Sequence, residues 1–195
     1  MSATRDTLIE TATELFLEKG FTAVGTNEIC SSASVNKGTF YHFFPSKTDL
    51  LVNVIEQYAD GFAQAFHDIA KSNLAPEDKL LALFDVPKAA NNSWKSNRGF
   101  AQGCLIGNMT LELSGANDAV RRTIRKALVD WSDPIESIVD ELIQSDVIPE
   151  IDRNKAAEVI IGLIQGGLLL AKTMNDPEKV SVFSAGALPH LKSIS

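Results

Sequence analysis

Two short helical patterns lie close together near the N-terminus. The first begins at Thr26, whose hydroxyl we expect to cap it, and ends at Ala33. A connection of only three residues follows, and the second pattern runs from about Lys37 until Pro45 stops it. Two short helices this close together, packed on a longer preceding helix, predict a helix-turn-helix.

Helical spacing of apolar residues continues through the rest of the chain, and no β alternation competes with it. A first amphipathic helix is expected over residues 4–19, ended by Gly20. Pro87 is expected to kink or end the helix that begins at Pro76. Pro134 is expected to kink the helix over residues 118–145, and residues 91–99 are expected to form a loop. The other predicted helices cover residues 47–72, 103–113, 118–145, 152–173 and 180–194. We therefore expect an all-α protein with a three-helix helix-turn-helix head, residues 1–48, joined to a larger helical body, residues 49–195.

Net charge gives no support to nucleic-acid binding. The chain carries a formal charge of -7, and its first 50 residues hold four basic and six acidic side chains. Non-specific DNA affinity comes mainly from cations that neutralise phosphates. Any DNA contact must therefore come from the small basic cluster of Lys37, His42 and Lys47.

Other sequence features favour a cytoplasmic protein without a metal or a disulfide. Residues 1–6 do not resemble a secretory signal, and the longest apolar run, Val159 to Ala171, is too short to span a membrane. Cys30 and Cys104 have no metal-ligand spacing, so free thiols in a reducing compartment are expected. No cofactor is predicted.

The run from Val35 to Lys47, preceded by Thr26-Asn27-Glu28-Ile29, resembles the N-terminal signature of the TetR/AcrR family. The resemblance covers about residues 4–52. It implies an operator-binding head and a body that binds an effector and dimerises. One departure lies in the turn, where the family usually has Ala-Gly and this chain has Ala33-Ser34, which tolerates a left-handed backbone less well.

Several head residues are carried over as DNA contacts by this resemblance. Lys37 and Thr39 are expected to face base edges in the major groove, and Gly38 to let the backbone approach. By the same resemblance, Tyr41, His42 and Lys47 are expected to contact phosphates, as is Thr26 from the preceding helix. The complete predicted set is Thr26, Lys37, Gly38, Thr39, Tyr41, His42 and Lys47. Alternatives remain for three of them: Tyr41 as a core aromatic residue, His42 as a surface histidine, and Thr26 as a cap only. Phe40 and Phe44 are interpreted as core.

The apolar segment Gly162 to Lys172 is expected to be buried on all sides, partly by a second subunit. The resemblance implies a dimer of four helices, two from each subunit. The predicted dimer face comprises Gly162, Gln165, Gly166, Leu169 and Leu170. The alternative is the central core helix of a monomer.

Gly103-Cys104-Leu105 resembles a motif that opens the sixth helix in a subgroup of the family, in some members of which the cysteine senses electrophiles or oxidants. A helix N-terminus would favour the thiolate of Cys104, although a buried, inert thiol is the alternative. Cys30 is expected to be an inert core residue. The predicted effector pocket comprises Phe62, Phe66, Phe84, Trp94, Phe100, Cys104, Asn108 and Trp131, with plain core as the alternative for most of them.

These observations predict a repressor that binds palindromic operator DNA as a homodimer and is released by a small molecule or by thiol modification. A helical enzyme is the first rival, but His67 and His190 are isolated and no catalytic set converges. The second rival is a ligand-binding protein that has lost DNA binding. Retention of Lys37 and Tyr41 argues against it.

Overall fold

The computed structural model describes residues 3–193, and in that part of the chain it consists of helices without strands. The all-α prediction is therefore confirmed. Ile194, the predicted end of the last helix, lies outside the described residues. The helices are α1 (Ala3–Lys19), α2 (Thr26–Ser32), α3 (Lys37–Phe43), α4 (Lys47–Ala70), α5 (Pro76–Arg98), α6 (Leu105–Leu113), α7 (Asp118–Gln144), α8 (Arg153–Met174) and α9 (Lys179–Ser193).

The chain groups into two compact units that do not follow a single cut in the sequence. One unit contains the residues through Asp60 together with Leu105–Ala127, and the other contains Gly61–Cys104 together with the residues from Leu128 onward. Helix α6 and the first part of α7 therefore group with the head. The boundary between residues 48 and 49 stays a prediction.

The core of the first unit is built from apolar side chains of α1, α3 and α4. Phe16, Phe40 and Leu51 are each fully buried. Gly20 ends α1 in the left-handed conformation, with φ of 82°, and its N–H donates to the carbonyl of Phe16. The chain then turns through residues 20–25 before α2 begins.

The predicted cap of α2 is wrong. Gly25 occupies the cap position in extended backbone, and no side chain caps the helix. Thr26 is already the first helical residue. The reason is local: the carbonyl of Gly25 accepts the N–H groups of Glu28 and Ile29, so the helix starts one residue earlier than a threonine cap would require.

The turn between α2 and α3 keeps the left-handed conformation in spite of its serine. Ser34 has φ of 55°, and its N–H donates to the carbonyl of Ser31. The departure from glycine thus leaves the motif intact. Its cost is a non-glycine residue in a conformation that L-residues disfavour.

Helix α5 is longer than predicted, because it continues through Pro87 to Arg98. The loop predicted for residues 91–99 is therefore wrong. Asn91 is buried, and its side-chain amide donates to the carbonyls of Pro87 and Gly103, both at 3.0 Å. Asparagine is common in loops, but here its buried side chain joins α5 to the backbone of Gly103. The helix ends at Arg98, and Gly99 caps it with φ of 85°.

Helices α8 and α9 pack closely because of two adjacent glycines. A Cβ atom on Gly166 would lie 3.2 Å from the ring of Phe183, and one on Gly167 would lie 3.1 Å from the Cα atom of Val180. Asp152 caps α8 by accepting the N–H of Lys155 at 3.1 Å. The two glycines therefore allow α9 to pack closely on α8 within the chain.

Helix α8 is not buried on all sides in the single chain, so the burial expected for residues 162–172 depends on the predicted second subunit. Gly162 is exposed, and Leu169 is 57 % exposed. The 22-residue helix is also long and apolar enough to cross a membrane, which the shorter run from Val159 to Ala171 did not suggest. That property is weak evidence, since the core helix of a soluble protein can share it.

Candidate DNA-binding and effector sites

The exposed face of α3 carries most of the predicted DNA contacts. Lys37, Gly38, Tyr41 and His42 are exposed, and Thr39 is half-buried. Tyr41 is 51 % exposed, which excludes the alternative that it is a core residue. The roles of these residues toward DNA stay predictions.

Buried aromatic side chains support this exposed face from below. Phe40 and Phe44 are 0 % and 1 % exposed, as predicted, and their ring centroids lie 6.2 Å apart. The ring of Tyr41 meets that of Phe40 edge-on, with centroids 5.1 Å apart. The core contact therefore restricts the orientation of the exposed tyrosine.

Asn36 organises the first turn of α3 and was missed by the sequence analysis. Its Oδ1 accepts the backbone N–H of Thr39 at 2.8 Å and the Thr39 hydroxyl at 3.2 Å. A Cβ on Gly38 would lie 3.2 Å from the same oxygen. The preference for Ser, Thr, Asp or Asn just before the first residue of a helix could have identified Asn36, which precedes Lys37.

Lys47, predicted to contact a phosphate, is bound to the protein's own backbone. Its Nζ donates to the carbonyls of Phe21 at 2.8 Å and Val24 at 2.7 Å, and lies 4.0 Å from the ring centroid of Phe21. Burial lowers the pKa of Lys47, while the negative charge of Glu112 opposes that shift. The ammonium therefore holds the α1–α2 loop, and its contact with phosphate stays a prediction.

Two other cationic side chains of the head are held by the protein. Arg5 donates to Asn53 and lies over the ring of Phe44 at 5.5 Å, a contact that sequence spacing could not indicate. Lys19 pairs with Glu28 at 2.7 Å. Thr26 is half-buried in the first turn of α2. The exposed basic groups of the α3 region are therefore Lys37 and His42, a smaller set than the sequence suggested.

In the second unit, two asparagines hold the segment that leads to Cys104. Asn91 bonds both the carbonyl and the N–H of Gly103. Asn175 donates to the carbonyl of Gly99 at 3.1 Å and accepts the N–H of Ala101 at 2.8 Å. The segment is thus fixed at both ends, although it has no regular secondary structure.

Cys104 directly precedes α6 and is buried. The side-chain amide of Gln165 donates to its Sγ at 3.4 Å. Cys30 is 4 % exposed, which agrees with its predicted place in the core. Among residues 3–193, no group of three or more His, Cys, Asp or Glu side chains could hold a metal ion.

The predicted pocket residues form separate aromatic groups. Phe62, Phe66 and Trp131 cluster with ring centroids 5.6–6.2 Å apart, and the rings of Trp94 and Phe100 lie 6.4 Å apart. Phe66, Phe84 and Trp131 are buried, as core residues would be. Asn108 lies on α6, in the other unit. Within the described residues, the indole Nε1 of Trp94 is buried and has no hydrogen-bond acceptor.

The predicted dimer-face residues divide into two kinds. Gly162 and Leu169 are exposed, and Leu170 is half-buried. Gln165 and Gly166 instead have contacts within the chain, with Cys104 and Phe183 respectively. Other exposed apolar side chains are Met174 at the end of α8 and Val182 in α9. The dimer face itself stays a prediction.

Comparison with known families accounts for most of the chain. Residues 8–54 match the family described as "Bacterial regulatory proteins, tetR family". Residues 76–186 match the family described as "Tetracyclin repressor-like, C-terminal domain". The two matches correspond to the helix-turn-helix region and to the helices that follow it.

Individual proteins resemble the chain over nearly its whole length. The transcriptional regulator AcuR of Cereibacter sphaeroides is 30 % identical over 94 % of this chain and 83 % of its own. The HTH-type transcriptional repressor NemR of Escherichia coli is 29 % identical over 98 % of this chain and 93 % of its own.

Two crystal structures share the fold. The regulatory protein TetR from Rhodobacter sphaeroides superposes with a TM-score of 0.86 and 29 % identity, covering 97 % of this chain and 99 % of that one. The reduced form of E. coli NemR superposes with a TM-score of 0.82 and 26 % identity, covering 99 % and 97 %. The helix-turn-helix geometry, the two family matches and these relatives together show that the chain belongs to the TetR family of bacterial transcriptional regulators.

Proposed function

We propose that this TetR-family regulator is a cytoplasmic repressor that binds a palindromic operator as a homodimer. The observation that carries the proposal is the exposed face of α3, where Lys37 and Tyr41 project from a helix anchored by buried Phe40. TetR-family regulators bind operator DNA and act as dimers, and NemR is described as a repressor. A regulator of this kind needs no catalytic site, and none of the matched families is catalytic.

Selection from a random pool of DNA duplexes tests this function. Two recognition helices related by two-fold symmetry read half-sites about one helical turn apart. We therefore expect the protein to enrich a palindrome with that spacing, and its affinity to fall steeply with salt. Enrichment of no sequence by a dimeric preparation would refute operator binding.

Residues on α8 and α9 support the proposed homodimer. Leu169 and Val182 are more than half exposed, and Gly162 leaves the surface of α8 open to a close neighbour. A helix face that another subunit covers would bury such apolar side chains. Replacement of Leu169 and Val182 by aspartate should convert the dimer to monomers in analytical ultracentrifugation, whereas an unchanged mass would refute this face.

A small-molecule effector is the first proposed route of release. The buried indole N–H of Trp94, beside Phe100, offers an unpaired donor next to an aromatic surface. The carbonyl oxygen of an effector would accept a hydrogen bond from this N–H. We expect a small aromatic ketone such as acetophenone to raise the melting temperature of the wild type but not that of Trp94→Phe, and equal shifts would remove Trp94 from the site.

Thiol modification of Cys104 is the second proposed route. The resemblance to a subgroup with a Gly-Cys-Leu motif suggests it, and the amide of Gln165 supports it, because a donor to sulfur favours the thiolate. N-ethylmaleimide should release operator from the wild type and from Cys30→Ser, but not from Cys104→Ser. Release that survives in Cys104→Ser would place the reactive group elsewhere.

A further inference from the structure

The carboxylate of Glu112, in α6, binds the loop that connects α1 to α2. Its oxygens accept the backbone N–H groups of Phe21 at 3.0 Å and Thr22 at 2.6 Å. A Cβ on Gly20 would lie 3.1 Å from Oε2 of the same carboxylate, so a side chain there would crowd it. The loop thus presents bare backbone to Glu112.

Lys47 binds the same loop through the opposite polarity. Glu112 accepts hydrogen bonds from N–H groups of the loop, whereas the ammonium of Lys47 donates to its carbonyls, those of Phe21 and Val24. Both peptide groups that flank Phe21 are therefore bonded to charged side chains. Hydrogen bonds to charged groups are stronger than those between neutral ones.

The pKa of Glu112 reflects the same contacts. Burial raises the pKa, but the hydroxyl and N–H of Thr22, the N–H of Phe21 and the charge of Lys47 outweigh it, so the pKa is lower than usual. The carboxylate is therefore fully ionised at neutral pH, and the loop is held under the conditions in which DNA would be bound.

The position of Glu112 in the chain gives this contact its significance. Glu112 lies within the region that matches the C-terminal family domain, whereas the loop lies within the region that matches the DNA-binding domain. The loop leads directly into α2, and α2 leads through a short turn into α3. A displacement of α6 would therefore move the support of the helix-turn-helix.

We propose that Glu112 is a positioning residue through which α6 holds the α1–α2 loop, and with it α2 and α3, in the geometry that binds operator. The proposal rests on the proposed DNA-binding function. It assigns no DNA contact to Glu112 itself, which is negatively charged and would repel phosphate.

Glu112→Gln tests the proposal, with Glu10→Gln as the matched control. Both variants remove one negative charge from the first unit, and Glu10 is exposed on α1. Loss of charge alone should favour DNA slightly in both. We expect Glu112→Gln to bind the duplex selected by the wild type about tenfold more weakly, as loss of one or two charge-assisted hydrogen bonds implies. Its affinity for a scrambled duplex should stay within about twofold of that of Glu10→Gln.

Two further measurements separate positioning from general destabilisation. Glu112→Gln should remain folded at the temperature of the binding assay, with a melting temperature only slightly below that of Glu10→Gln, and amide hydrogen exchange at Phe21 and Thr22 should become faster in Glu112→Gln only. An unchanged ratio of specific to non-specific affinity would overturn the proposal. So would partial unfolding of Glu112→Gln at the temperature of the binding assay together with a parallel loss of both affinities. A wild type that selects no duplex would overturn the proposed function, and this inference with it.

Discussion

The side chain of Asn36 accepts two hydrogen bonds from Thr39, from the backbone N–H at 2.8 Å and from the hydroxyl at 3.2 Å. This contact fixes the start of α3. The hydroxyl of Thr39 donates its only proton in this contact. Toward a base edge, that hydroxyl is left as an acceptor, beside a methyl group that can contact thymine.

Asn36→Ala should lower the free energy of unfolding by about 1 kcal/mol, the usual cost of a lost N-terminal cap. Asn36→Ser is the matched control, because serine caps a helix nearly as well as asparagine. Urea unfolding of the three proteins measures the difference. Equal stability of the alanine and serine variants would show that the cap does not stabilise α3.

Ser34→Gly should stabilise the protein. Ser34 has φ of 55°, a conformation that costs an L-residue roughly 1 kcal/mol and glycine almost nothing. The matched control is Ser31→Gly, which introduces glycine within α2 and should cost about 0.5 kcal/mol. Thermal unfolding should therefore move in opposite directions for the two variants, and a common direction would contradict the assigned turn.

Gly167→Ala should destabilise the packing of α8 against α9. The new methyl group would lie 3.1 Å from the Cα of Val180, which is backbone and cannot rotate away. Overpacking of this kind costs about 1–3 kcal/mol.

The control for this substitution is Gly61→Ala, in α4. A Cβ at Gly61 has no neighbour within 4 Å, so alanine should stabilise its helix by about 0.5–1 kcal/mol. Chemical denaturation checks both variants. If Gly167→Ala were as stable as Gly61→Ala, the two helices would not be in close contact at Val180.

The contribution of Glu112 to stability should depend on pH in a defined direction. Its pKa is lower in the folded chain than the ordinary value of 4.5, so the folded state binds its proton less tightly. The resulting stabilisation is present above the unfolded pKa and is lost as pH falls through the lower, folded value. The melting-temperature difference between wild type and Glu112→Gln should therefore be constant between about pH 6 and 8 and shrink below about pH 4. A difference that grows in acid would contradict the assigned contacts.

Local signals predicted the head well. Gly20 marked the end of α1 and Pro45 the end of α3, because each acts within one or two turns of the chain. The exposure of Tyr41 was expected from the family resemblance, with a core position as the alternative, and Tyr41 is 51 % exposed. The body was harder, since the polar run that begins at Asn91 is typical of loops, whereas one buried amide makes it part of a helix.

Contacts distant in sequence were not predictable. Glu112 lies 91 residues from Phe21, and nothing in its neighbourhood distinguishes it from a solvated surface acid. Lys47 was recognised as a motif residue, but its bonds to two loop carbonyls depend on the fold. Gly166 was assigned to the dimer face from the pattern of its own helix. Only the folded chain shows that the ring of Phe183 leaves no room for a side chain there.

The structure also changes the choice of variants for a DNA-binding test. Replacement of Lys47 would release the α1–α2 loop as well as remove a charge, so a loss of affinity could not be assigned to a phosphate contact. Lys37 and Tyr41 are exposed on α3, so their replacement leaves the buried Phe40 in place.

The most direct test of operator recognition by α3 is the affinity of Lys37→Ala/Tyr41→Ala for the duplex that the wild type selects. Loss of two contacts at about 1–3 kcal/mol each predicts at least a thirtyfold weaker complex, with the variant still folded and its oligomeric state unchanged at the temperature of the assay. Wild-type affinity in this folded double variant would contradict the account, because it would show that the exposed face of α3 does not read DNA.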